Sequence, residues 1–303
     1  MTVEAAGMIA AGVSALIAGP ILARPRLAAT DASGKLIVLG PAFEAAAIAA
    51  FSAEHFTAAR ALAPIVPHWL PAPLFWTYFV GACLFAAALS FVAFRCVRSA
   101  AAWLALLFLI IVATLDLPNL PANLHSRIFW TLTVRETAFA SGAMVLSASL
   151  WPRGAAIGSA LARIGRTLLA GIMIFYAFEH FLFPHFVIGV PLARLTPAWI
   201  PAPVLWADLV GIALLLGGIG LLFRATTRVA AAGTGLVLLL VTAFFYGPLL
   251  VAEFHSNPVE GLNYVFDTLL FAATVLLAGS SPDPEASRRA VEEQAEYTAV
   301  SLP

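Results

Sequence analysis

The chain has 303 residues, 62% of them apolar and 11% charged, with a mean hydropathy of +0.96 and no formal net charge. A soluble domain carries about 25% charged residues, so the composition excludes a soluble globular protein and puts most of the chain in lipid. With balanced charge, no net basic character advertises nucleic acid or an acidic partner.

Residues 5–23 read AAGMIAAGVSALIAGPILA and follow Glu4, with no basic leader in front. They predict an extra N-terminal membrane helix rather than a signal peptide. A spanning helix needs about 20 mostly apolar residues. Eight further segments meet that need: 36–57, 73–94, 100–118, 129–150, 167–186, 203–223, 229–250 and 261–279. The stretch 280–303 is polar, acidic and Pro-containing, as expected of a flexible extension.

Alternate ends of these segments differ in charge. One set carries Arg24, Arg26, Lys35, Arg95, Arg98, Arg153, Arg163, Arg166, Arg224, Arg228, Arg288 and Arg289, and the other only Arg60, Arg127 and Arg194. Twelve against three predicts that the basic set is cytoplasmic. Nine helices then put the N-terminus outside and the C-terminus inside a bacterial-type inner membrane.

Two stretches read alike. Trp69-Leu70-Pro71-Ala72-Pro73-Leu74-Phe75-Trp76 and Trp199-Ile200-Pro201-Ala202-Pro203-Val204-Leu205-Trp206 share five of eight residues. Flanking matches keep one order: Glu54-His55-Phe56 with Glu179-His180-Phe181, Gly81 with Gly211, and Phe94-Arg95 with Phe223-Arg224. Pro118 then matches Pro248, His125-Ser126 matches His255-Ser256, and Glu136-Thr137 matches Asp267-Thr268. The offset drifts only from 125 to 131, and apolar drift would not align these polar residues. The reading is an all-α polytopic protein of two tandem four-helix bundles. Residues 1–35 form the extra helix and its loop, 36–152 the first unit, 153–279 the second, and 280–303 the tail. Because each unit has an even number of helices, the two are parallel rather than inverted repeats.

All six histidines (His55, His68, His125, His180, His185 and His255) fall toward the sparsely charged end. Glu54 and Glu179 lie at that end of the first helix of each unit, and Glu136 and Asp267 lie about 10 Å into the last helix by helix rise. Carboxylates within a span usually face the interior. Glu54, His55, His125, Glu136, Glu179, His180, His255 and Asp267 are therefore the candidate ligand or proton site. Glu44 and Asp208 are further intramembrane acids without a matching acid in the other half. Arg135, present only in the first unit, is expected to pair with Asp116 or Glu54. Trp69, Trp76, Trp199 and Trp206 read as an interfacial belt. A purely structural account, in which the acid–histidine pairs close the bundle ends, competes with the site.

These residues resemble the DoxX-like family of small four-helix bacterial membrane proteins. The resemblance rests on Glu-His-Phe at a helix end, the Trp-[Leu/Ile]-Pro-Ala-Pro start of the next helix with its internal Gly, and the Pro and polar loop after the third. It covers about 36–279, once per unit, and the second unit is the nearer match. The fused pair and the added N-terminal helix depart from the family's usual single unit. The resemblance implies a quinone-linked role in sulfur oxidation or envelope redox stress, beside a partner subunit.

The residues themselves allow such chemistry. Oxidising a quinol releases protons, and a carboxylate beside a histidine can accept them. Quinone is thus the candidate cofactor, with Glu54-His55 and Glu179-His180 as the relay. No flavin, nicotinamide or iron–sulfur fingerprint is present. Cys83 and Cys96 lack a C-x-x-C spacing and read as packing residues. Gly217, Gly218 and Gly220 lie inside an apolar span and read as close helix packing. His55, His125, His180 and His255 are residue types that zinc or iron accepts, but no spacing assigns a metal. The expected role is an accessory or ligand-binding subunit in the lipid bilayer; a proton-coupled or small-molecule transporter and a structural scaffold are the alternatives.

Overall fold

The computed structural model describes residues 1–280 except Arg153; the expected tail from 281, with Arg288 and Arg289, lies outside the described residues. The described residues form nine long helices: α1 (Val3–Ala28), α2 (Ala32–Thr57), α3 (Pro73–Ala93), α4 (Val97–Ala122), α5 (Arg127–Ser149), α6 (Ala156–Leu182), α7 (Pro203–Leu222), α8 (Thr227–Glu253) and α9 (Pro258–Ala278). Eight of them are long and apolar enough to cross a membrane, α1 included. The exception is α5, whose hydropathy falls short because Arg135 and Glu136 sit within it. That helix is packed against α4, α6 and α9, where protein rather than lipid surrounds its charges.

Short polar side chains start several helices. Thr2, Asp31, Ser126 and Asn257 each accept a backbone N–H from the first turn, satisfying donors that lack a helical partner. The helices α3 and α7 start instead on Pro73 and Pro203, at the position where a missing N–H does no harm. Each proline follows an alanine in the left-handed region, Ala72 at φ 54° and Ala202 at φ 49°. A tryptophan indole secures each corner, Trp76 donating to the Pro71 carbonyl at 2.9 Å and Trp206 to that of Pro201 at 3.1 Å. Pro118 and Pro248 likewise explain a shared irregularity. Four residues before a proline, its ring would clash with a helical carbonyl, and both α4 and α8 widen there into π-helical turns, Val112–Asp116 and Thr242–Tyr246.

The helices α2–α9 pack as a ring that neither set of four closes by itself. The first helix of each set pairs with its second, and the third with its fourth. The fourth helix of each set then lies on the first helix of the other: α5 on α6, and α9 on α2. Helices α5 and α9 also meet each other at the centre, where Gly142 of α5 abuts Thr274 of α9. Small residues at such contacts let helix backbones approach closely. Gly217 and Gly218 of α7 do this against Thr234, Met173 and Ala170, and α1 lies outside the ring along α2, with Gly19 against Ala42.

Glu44 interrupts this small-residue core. It is fully buried in α2, one turn from Ile48, and neither carboxylate oxygen has a partner among the described residues. Burying such a group costs about 1–3 kcal/mol in mutational series. Glu44→Leu, similar in size, is therefore expected to raise the thermal unfolding midpoint in detergent; a lower midpoint would mean that Glu44 is satisfied.

Candidate functional site

At the end opposite the arginine-rich loops, α2 and α6 finish with the same three residues in the same setting. His55 bonds the Phe51 carbonyl through Nδ1 at 2.8 Å, and His180 bonds that of Tyr176 at 2.6 Å. The neighbouring helix can come this close only because it presents glycine. A Cβ on Gly81 would stand 2.8 Å from the His55 Cβ, and one on Gly211 would stand 3.2 Å from that of His180. Beyond this shared framework the two ends differ.

In the first half the imidazole faces a cavity of about 370 Å3, within the range of about 300–1,000 Å3 usual for ligand sites. Its walls are Ile48 and Phe51 of α2, Val80 and Leu84 of α3, Phe108 and Ile111 of α4, and Phe139 of α5. Its polar side joins Glu54 and His55 to Arg135 and Glu136 of α5 and to Glu260, Asn263, Tyr264 and Asp267 of α9. The site thus draws on both halves of the chain. Glu54 accepts a hydrogen bond from the Asn263 amide at 3.0 Å. Arg135 forks between Glu136 at 2.7 Å and Asp267 at 3.1 Å. This corrects the expected pairing of Arg135 with Asp116 or Glu54, because the fourth helices meet at the centre and bring Asp267 within reach. Four buried atoms of these residues have no partner among the described residues: Arg135 Nε, Glu136 Oε2, Asn263 Oδ1 and Asp267 Oδ2. A bound polar group would satisfy both the donor and the acceptors.

In the second half the corresponding space is filled by the chain itself. The connection between α6 and α7, residues 183–202, folds inward, and Val187, Ile188, Gly189 and Val190 are buried. Gly189, at φ +95°, lies beside Leu238 and Val241 of α8, the counterparts of the cavity residues Phe108 and Ile111. The Gly189 N–H donates to His180 Nε2 at 3.0 Å, so both ring nitrogens of His180 are occupied. Tyr246 donates to the Ile188 carbonyl at 2.7 Å. Arg127 donates to the carbonyls of Pro191 at 2.7 Å and Leu192 at 3.1 Å, and its guanidinium lies 4.1 Å over the Phe186 ring. Glu179 is held by Thr131 at 2.8 Å and Arg127 at 3.4 Å. Nothing in this cluster is free to meet a ligand without displacing the loop.

The structure therefore brings Glu54, His55, Glu136 and Asp267 together, and places Glu179 and His180 apart from them under the plug. His125 and His255 lie in exposed turns and join neither group. Trp69, Trp199 and Trp206 are exposed at the same end and Trp76 is half-buried there. Among the described residues no three His, Cys, Asp or Glu side chains are grouped to hold a metal. Asn263, Arg127 and Thr131 were not among the sequence candidates. Arg127 carried a signal, as one of three cations on its face; Asn263 and Thr131 look like ordinary helix residues until their partners are placed. Ala45, Ala46, Ala138, Phe271 and Ala272 are buried in the core where α9 packs on α2 and on α5. Comparison with protein-family models, with curated proteins and with solved structures finds no match to this chain.

Proposed function

We propose that this membrane protein is a DoxX-like accessory subunit built from two fused copies of one four-helix unit, holding one lipid-soluble ligand, a quinone or quinol, for a redox partner. The observation that carries it is the cavity with aromatic and aliphatic walls and a combined donor–acceptor floor. His55 already gives Nδ1 to Phe51, so its Nε2 is the nitrogen left to accept a quinol hydroxyl, while Arg135 retains a donor suited to a quinone carbonyl. Glu54 beside His55 is then the route by which a released proton leaves. The duplication is supported by paired features that apolar composition does not demand: the left-handed alanines, the indole latches, the π-helical turns and the glycine–histidine contacts. The arginine-rich end is read as cytoplasmic, which places the cavity toward the outer face of an inner membrane. Transport draws no support from the packed core where α9 meets α2 and α5.

The test is quinone content. Protein purified in mild detergent should retain about one quinone per chain, measured after solvent extraction. Glu54→Gln and His55→Leu should each weaken rebinding of a short-chain benzoquinol roughly tenfold or more, the loss expected for a hydrogen bond of about 1.5–3 kcal/mol to a charged group. No retained quinone and no effect of either substitution would leave the bundle a scaffold.

A further inference from the structure

The arginine-rich end carries a second, larger cavity, about 550 Å3, between α6, α7, α8 and the ends of α5 and α9. Arg163, Arg166, Arg224 and Arg228 line it, with Ser149, Ser159, Thr167 and Thr227 as neutral hydrogen-bonding groups, and among the described residues no acid lines it. Arg228 is paired with Asp31, but among the described residues Arg163, Arg166 and Arg224 have no carboxylate partner. Arg166 is half-buried, its Nε has no acceptor among the described residues, and it donates a 3.4 Å bond to the Ser280 carbonyl. A guanidinium removed from water in this way calls for an anion.

Depth and shape narrow the anion. Arg166 stands sixteen residues before the far end of α6 at Leu182, about 24 Å by helix rise, which is close to the headgroup boundary of a hydrocarbon layer about 30 Å thick. Arg224 and Arg228 flank the turn where α7 and α8 leave that layer. Exposed Ile164, Leu168, Leu222 and Phe223 lie beside the arginines and present an apolar surface. We infer that this cavity binds the phosphate of an anionic phospholipid headgroup, the guanidiniums holding the phosphate and the adjoining apolar surface receiving the acyl chains. Arg is suited to this task because its planar fork pairs with phosphate oxygens in a bidentate manner, and basic pockets between membrane helices on the cytoplasmic side are known binders of such headgroups. The rival anion within the chain is the acidic stretch after Ser280, with Asp283, Glu285, Glu292, Glu293 and Glu296.

The full-length protein should be reconstituted in nanodiscs of phosphatidylcholine with and without phosphatidylglycerol, and bound lipid counted by native mass spectrometry. Retention of phosphatidylglycerol over phosphatidylcholine is expected, falling about fivefold for each arginine lost in Arg166→Gln and Arg224→Gln. Circular dichroism of each variant checks folding, and Arg60→Gln, at the opposite end of the bundle, should leave retention unchanged. Equal retention of both lipids, or a preference untouched by the two substitutions, would overturn the inference. Inorganic phosphate that displaces the lipid at millimolar concentration would assign the cavity to a soluble phosphate instead. Lipid preference that emerges only when the five tail carboxylates are neutralised would assign it to the tail.

Discussion

Arg135→Leu should destabilise the protein by about 3–5 kcal/mol, the loss typical when one member of a buried ion pair is removed. Arg135 is the only cation bonded to Glu136 and to Asp267 among the described residues, and it joins the two halves at their central helix contact. Its removal leaves Glu136 and Asp267 without a cation in a cavity that also holds Glu54 and Glu260. Arg135→Lys should recover only part of the loss, since an ammonium cannot fork in one plane to two carboxylates. The informative variant is Arg135→Leu combined with Asp267→Leu. At the matching position the second half has Phe266, whose ring packs against Gly12 of α1, and the double variant removes Asp267 together with the cation it would otherwise lack. The double variant should therefore be more stable than Arg135→Leu alone, and the cycle should return a coupling of more than about 1 kcal/mol. Equilibrium unfolding in mixed detergent measures each step. A single-variant loss below about 1 kcal/mol would show that water screens the triad and that packing alone joins the halves.

The helices were legible because lipid demands long apolar segments, and 129–150 read as one of them although its helix, α5, falls short on hydropathy. Its charges were legible as interior for the same reason, since Arg135 and Glu136 within a span need protein around them. The partner of Arg135 was not. Similar units predict similar folding, but nothing in their similarity tells whether a fourth helix closes on its own first helix or on that of its twin. Only the second arrangement brings Asp267 to Arg135 and Asn263 to Glu54. The histidines show a further gap. Six on one face made a shared role attractive, yet His125 and His255 match in sequence because both sit in equivalent exposed turns, where a match reports backbone setting rather than ligation. The asymmetry between the two ends did leave a trace. The offset between the halves is 125 at Glu54 and Glu179 but 130 at Trp69 and Trp199, so five residues are added between helix end and tryptophan in the second half. Their inward course follows from what they are, three aliphatic residues about a glycine and then a proline, but that became readable only with the cavity in view.

Those five residues make the sharpest test of the one-site reading. Deleting Val187–Pro191 would shorten the connection between α6 and α7 from the twenty residues 183–202 to the fifteen found at 58–72 in the first half. The deletion removes the buried side chains of Val187, Ile188 and Val190, each worth about 1.5–3 kcal/mol of burial. It also removes the hydrogen bonds from Gly189 to His180, from Tyr246 to Ile188 and from Arg127 to Pro191, each worth about 0.5–1.5 kcal/mol net. A stability loss of about 5 kcal/mol or more is expected. Gly189→Val is the gentler companion. It places a β-branched residue at φ +95°, with its Cβ 3.3 Å from the Thr268 methyl, and should loosen the loop without deleting it, seen as faster amide exchange across 187–191. With the loop gone, His180 Nε2 and Glu179 face a space equivalent to the first cavity, and a short-chain benzoquinol should bind at about two per chain instead of one. A folded deletion variant that still binds one would mean that the loop is a structural lid on a space that never resembled the first. Two sites would support the proposed duplication, with the second half closed by its own chain because Arg127, Tyr246 and His180 hold a peptide segment where the first half leaves room for a ligand.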